Sequence, residues 1–244
     1  IMNDYVYIQR IVKHPDKEMD YSNYPFDIPV IKNFSELVFR KPVTFIIGEN
    51  GSGKSTLLEA IAVALGFNAE GGSKNFNFQT YESHSDLHDY LRISRSPRYY
   101  KDNFFLRAES FYNVATEVAN LGVSGSYGNT LLHNQSHGES FMSLMIHRFR
   151  GDGLYLLDEP EAALSPSRQM SMLVRMNELV EQKSQFIVAT HSPIIMAYPE
   201  ADIFEIQKDK LVKVQYEETE HYSITKYFLD NPELMLKELF GKSK

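Results

Sequence analysis

Nine consecutive residues, Gly48, Glu49, Asn50, Gly51, Ser52, Gly53, Lys54, Ser55 and Thr56, follow the pattern G-x-x-x-x-G-K-S-T. Glycines at these positions let a backbone curl until several N–H groups point inward at phosphate oxygens. Lys54 adds a point charge to the same oxygens, and the Ser55 hydroxyl is a hard ligand suited to Mg²⁺. Such a loop works only between a strand and a helix. Residues 43–47 are apolar and rich in β-branched and aromatic side chains, as a buried strand is. Residues 55–65 repeat Leu, Ala and Ile at helical spacing, and the N-terminus of that helix adds its positive end to the cradle. A Gly-rich turn without this role would not need both flanks and four fixed positions to agree.

A second group of chemical residues follows the run Leu154-Tyr155-Leu156-Leu157. Four apolar residues predict a buried parallel strand, and Asp158 and Glu159 leave its C-terminal end, where open α/β sheets place their ligands. Asp158 is suited to holding a hydrated metal ion, and Glu159 to orienting or deprotonating a water. Another apolar run, 186–190, is followed by His191, which can hydrogen-bond a phosphate or the attacking water. Ser136, His137, Gly138 and Glu139 open an amphipathic helical stretch, a second place where a helix N-terminus can meet an anion.

The remaining elements must bring these groups together. Alternation over residues 5–11 predicts a strand, with a short partner at 37–39. A loop with Pro15, Pro25 and Pro29 carries Tyr21 and Tyr24, which read as edge tyrosines or as an adenine-stacking aromatic. Further strands are expected at 76–81 and 104–108, a helix at 110–119, and a Gly/Ser/Asn-rich loop at 121–135. Residues 91–101 are basic and aromatic. They could grip a nucleic-acid backbone, but the chain's overall acidity favours a solvated β-arm. Pro166 starts a helix running through Glu181. A hairpin pairs 203–206 with 211–214 across Lys208-Asp209, and two helices, 222–230 and 232–240, close the chain.

The chain has 244 residues, 43% apolar and 23% charged, enough for one sizeable core. The net charge of −7 argues against a binder that holds nucleic acid over its whole surface. Without cysteine there is no disulfide framework and no Cys-ligated metal, which fits a cytoplasmic location. No run reaches the roughly 18 apolar residues that span a bilayer, so no direct membrane insertion is expected.

The order of these pieces resembles the ATP-binding-cassette (ABC) ATPases. It is most similar to small ABC-type ATPases of the chromosome-maintenance and recombination-repair branch. The match covers about residues 43–193 and extends through Tyr216-Glu217-Glu218-Thr219-Glu220-His221-Tyr222. It implies an α/β P-loop fold with a mostly parallel core sheet flanked by helices. An antiparallel β part and a small helical signature subdomain would accompany it. Residues 1–244 would form one domain, with about 68–140 as an inserted arm and subdomain. On this resemblance Gly48 to Thr56 is the Walker A loop, Leu154 to Glu159 is Walker B, and Ser136, Gly138 and Glu139 belong to the signature loop. Ala163 to Pro166 is the D-loop and His191 the switch histidine. ATP and Mg²⁺ are the implied cofactors, with Ser55 and Asp158 on the metal and Lys54, Glu159 and His191 catalytic. The implied partners are a second copy, joined through ATP, and DNA or a DNA-processing protein. A transporter's nucleotide-binding subunit, or an ATP-gated module with little turnover, are the alternatives. Three positions depart from the pattern: His137 stands for a glycine, Ser165 for an aspartate, and the Q-loop position falls to Gln79 or Glu109.

Overall fold

The computed structural model describes residues 6–69, 71–72, 86–107 and 137–241. In chain order its elements are β1 (Ile8–Lys13), α1 (Pro29–Lys32), β2 (Glu36–Val38), β3 (Val43–Ile47), α2 (Lys54–Ala64), β4 (Leu91–Arg95) and β5 (Asp102–Arg107). Then come α3 (His137–His147), β6 (Gly153–Asp158), α4 (Pro166–Glu181), β7 (Gln185–Ala189), β8 (Asp202–Gln207), β9 (Lys210–Val214), α5 (Glu220–Asp230) and α6 (Pro232–Leu239). The strand expected at 76–81, the helix at 110–119 and the loop at 121–135 lie outside the described residues, as do Gln79, Glu109 and Ser136.

The main sheet has the order β5-β6-β7-β3-β8-β9. Its first five strands are parallel, and β9 returns antiparallel to β8 across Lys208 and Asp209. Every residue of β3, β6 and β7 is buried, which is why these runs are continuously apolar rather than alternating. Alternation survives in the direction of the side chains. Phe45, Leu157 and Val188 enter a core with Phe141, Met145, Met172 and Met176 of α3 and α4. Their neighbours Ile46, Leu156 and Ile187 enter a second core with Leu57, Leu58 and Ile61 of α2. Helices thus cover both faces, as a parallel sheet requires.

A second sheet, β2-β1-β4, is antiparallel. Its Ile8, Ile11, Leu37 and Leu91 pack into the α2 core. The Gln185 side chain joins the two sheets by accepting from the Ile8 N–H at 2.9 Å and donating to the Ile8 carbonyl at 3.1 Å. Strand β1 begins three residues later than alternation alone suggested, because its partners Glu36–Val38 and Leu91–Arg95 lie opposite residues 8–13. The basic stretch becomes an edge strand, β4, followed by the exposed Arg98 and the Tyr99 ring at 91% exposure. Among the described residues no helix is long and apolar enough to cross a membrane.

Candidate functional site

The glycine loop joins β3 to α2. Gly53 caps α2 at φ 99°, a left-handed conformation, and a Cβ there would stand 2.9 Å from both Ile28 Cγ2 and Val30 Cγ1. Both conditions call for glycine. Lys54 is 3% exposed, and its Nζ donates to the Glu49 carbonyl at 2.9 Å. Burial holds its pKa below the usual lysine value, against the opposing pull of Glu159, Asp158 and Glu161. Ser52 Oγ is buried and has no hydrogen-bond partner among the described residues. An orphaned hydroxyl and a buried ammonium in one glycine loop fit an anionic ligand that supplies the missing acceptors.

The acids arrive from β6. Asp158, 6% exposed, accepts a 3.0 Å hydrogen bond from Ser55 Oγ at the start of α2. Burial pushes its carboxyl up to about 7, with Glu159 adding to the rise and Ser55, Arg107 and Lys54 opposing it. A divalent cation beside Ser55 and Asp158 would favour the ionised form. Among the described residues no group of three or more His, Cys, Asp or Glu could hold a metal. The Ser55 hydroxyl and the Asp158 carboxylate are hard oxygen donors that fit Mg²⁺, which takes much of its shell from phosphates and water. Glu159 turns out of the strand at φ 46° and ψ 52°, a conformation strained for a residue with a side chain, while its N–H stays bonded to the Ala189 carbonyl at 2.9 Å. The turn aims its half-exposed carboxylate toward His191, whose Nε2 lies 3.3 Å from Glu159 Oε1, within ion-pair reach.

His191 follows β7 and is held from several sides. Its N–H donates to Glu161 Oε1 at 2.5 Å, and its Nδ1 meets Nε2 of His221 at 3.2 Å. Ser192 Oγ donates to Gln169 Oε1 at 2.5 Å, and Gln169 Nε2 donates to the Leu164 carbonyl at 3.1 Å, so α4 is tied to the loop that carries the histidine. Gly138 packs where a Cβ would stand 2.6 Å from the Ala163 carbonyl, and Glu139 pairs with Arg168 at 3.1 Å. The start of α3 is thereby fixed to the segment that leaves Glu159.

The residues expected to act thus sort into two groups. Gly48 to Thr56, Asp158, Glu159 and His191 lie at the C-terminal ends of the neighbouring strands β3, β6 and β7. Gly138 and Glu139 contact the segment 163–168 instead. Sequence reasoning gave no role to Glu161 or to His221. A cavity of about 750 Å³ beside the loop is lined by Gly48 to Ser52 on one side and by Glu205, Glu218, Glu220 and His221 on the other. The only signal for this wall was the Tyr216–Tyr222 stretch, which carried the resemblance but no chemistry.

Among solved structures, the chain is similar to cbiO1 from Clostridium perfringens, described as part of the ABC transporter complex cbiONQ. The identity is 19%, with 96% of this chain and 99% of that chain covered and a TM-score of 0.52. The SMC head domain from Thermotoga maritima matches at 18% identity, with 86% and 99% covered and a TM-score of 0.45. No curated protein matches the chain. The fold is that of a P-loop ABC-type ATPase domain. The family described as AAA domain, AAA_23, matches residues 26–223. That span covers well over half of the chain and takes in the glycine loop, the acidic pair and both histidines, and the chain belongs to this family.

Proposed function

We propose that the chain binds and hydrolyses Mg·ATP and that two copies pair head to tail around the nucleotide. The observation that carries this reading is the convergence at the end of the parallel sheet. Ser55 and Asp158 are joined at 3.0 Å, the buried Lys54 lies in the field of the acids, and Glu159 faces His191 at 3.3 Å. When bound, Mg²⁺ would supply charge neutralisation for the phosphates. The Glu159 carboxylate takes the proton of an attacking water, whose oxygen forms a bond to the γ-phosphorus as the bond to the β–γ bridging oxygen breaks, giving ADP and phosphate. Lys54 balances the charge that develops on the phosphate oxygens, and His191 offers an N–H to the same region.

One glycine loop covers one side of a triphosphate. Ser136, Gly138 and Glu139 of a second copy would cover the other, in a symmetric pairing. The contact of Gly138 with Ala163, four residues beyond Glu159, supports a mechanical link between that loop and the hydrolytic carboxylate. The process driven is DNA maintenance, repair or defence in this reading. It is supported by the motif order and by the exposed Arg92, Arg95, Arg98 and Tyr99 along and just beyond the β4 edge.

Glu159→Gln, measured by size-exclusion chromatography with light scattering, tests the pairing. The expected result is a monomer that becomes a dimer with Mg·ATP and releases phosphate at least about 100-fold more slowly than wild type. The trapped dimer should then bind short duplex DNA in a salt-dependent way. Unchanged hydrolysis, or ATP binding without dimerisation, would overturn the reading.

A further inference from the structure

His221 lies outside every motif that carries the proposed chemistry, yet its ring meets the ring of the histidine that does. The two nitrogens stand 3.2 Å apart, His191 Nδ1 to His221 Nε2, with the ring planes tilted by 51°. On its other side His191 Nε2 is buried without a hydrogen-bond partner among the described residues and lies 3.3 Å from Glu159 Oε1. These two contacts constrain the protons. At that distance the negative carboxylate favours a proton over a lone pair on His191 Nε2. In neutral His191 the Nδ1 is then an acceptor, and the group opposite it must be a donor. His221 fills that place when its own proton sits on Nε2.

The backbone supports the same arrangement. His221 is the second residue of α5. Thr219, fully buried, caps that helix by accepting from the Tyr222 N–H, and its own hydroxyl donates to the Tyr216 carbonyl at 2.8 Å. The Tyr216 hydroxyl donates to the Pro193 carbonyl at 2.8 Å, two residues beyond His191. One end of α5 is therefore fastened to the very loop whose ring it meets. Burial keeps the His221 pKa below the usual histidine value, with His191 and Lys54 adding to the fall and Glu205 and Glu220 opposing it.

We infer that His221 is a positioning residue for hydrolysis: its Nε2–H holds His191 in the Nε2-protonated form, so that a donor rather than a lone pair faces Glu159 and the terminal phosphate. The inference rests on the proposed roles of Glu159 and His191. For metal-bound imidazoles, losing the group that orients the ring through its second nitrogen costs about 10–100-fold in activity, and a loss of that order is expected here.

The test uses the full chain with four variants, Glu159→Gln, His221→Leu, His221→Gln and His221→Asn. A glutamine amide can donate from close to the Nε2 position, whereas asparagine is too short. His221→Leu and His221→Asn should lower kcat about 10–100-fold with KM for ATP little changed, and His221→Gln should recover most of the rate. Nitrogen-15 NMR of the histidine rings in nucleotide-free protein should show His191, assigned from a His191→Gln spectrum, as the Nε2–H tautomer in wild type and His221→Gln. Should His221→Leu not fold, the glutamine–asparagine pair carries the comparison. Wild-type kcat in both His221→Leu and His221→Asn, or an Nδ1–H tautomer of His191 in wild type, would overturn the inference. Undiminished hydrolysis by Glu159→Gln would instead remove the reading of the site beneath it.

Discussion

Asp158 shows what the site costs the empty chain. Burial raises its carboxyl to about 7, against 3.8 for the free group. The folded state therefore binds more protons than the unfolded state between these values, and stability that is present below 3.8 is lost as pH rises through about 7. Asp158→Asn keeps an oxygen for the Ser55 hydroxyl and removes the charge. In urea unfolding of the nucleotide-free protein this variant is expected to be more stable than wild type, by on the order of 1 kcal/mol or more at pH 8 and by less at pH 5. Its Mg-dependent ATP hydrolysis should be lost. Adding Mg·ATP should raise the stability of wild type far more than that of the variant, measured by thermal shift. This residue was legible from its place after four apolar residues. His221 was not, because nothing in Glu220-His221-Tyr222 says which loop the helix will meet.

Among elements, α4 was readable to the residue. Ser165 caps it, Pro166 opens it, and Met172, Met176 and Leu179 recur on its buried side. The entries to β5 and β6 are joined in a way that periodicity does not reveal. Asp102 accepts from Arg148 at 2.5 Å and from the Arg150 N–H at 3.0 Å, and the fully buried Tyr155 hydroxyl lies 2.7 Å from it. Tyr155 reads as an apolar strand residue, and only the fold puts a carboxylate at its tip. Burial and Asp102 together push the phenol far above its usual range, so it remains a neutral hydroxyl. Tyr155→Phe leaves Asp102 and the Arg150 backbone short of a partner. It should cost about 1–3 kcal/mol in chemical denaturation while kcat for ATP stays near wild type, since the junction lies at the N-terminal ends of β5 and β6, opposite the site.

For the molecule as a whole, the parallel sheet and its helical cover followed from the order of apolar runs, whereas the return of the last elements to the glycine loop did not. Local patterns specify β8, β9 and α5 separately. That β8 lies beside β3, with Thr44 opposite Asp202, is a long-range choice made by the packing of both faces. This pairing also sets the order in which a growing chain can become whole. Strand β3 is made early, but its two neighbours, β7 and β8, are the fourth and fifth strands made after it among the described residues. Until residue 207 has left the ribosome, the strand that carries the glycine loop has at least one bare edge, and the side chains on both its faces are ones that the finished fold buries. A chain cut before Asp202 is expected to collect in the insoluble fraction, whereas one cut after Val214 should remain soluble while lacking His221; fractionation of cell extracts distinguishes the two.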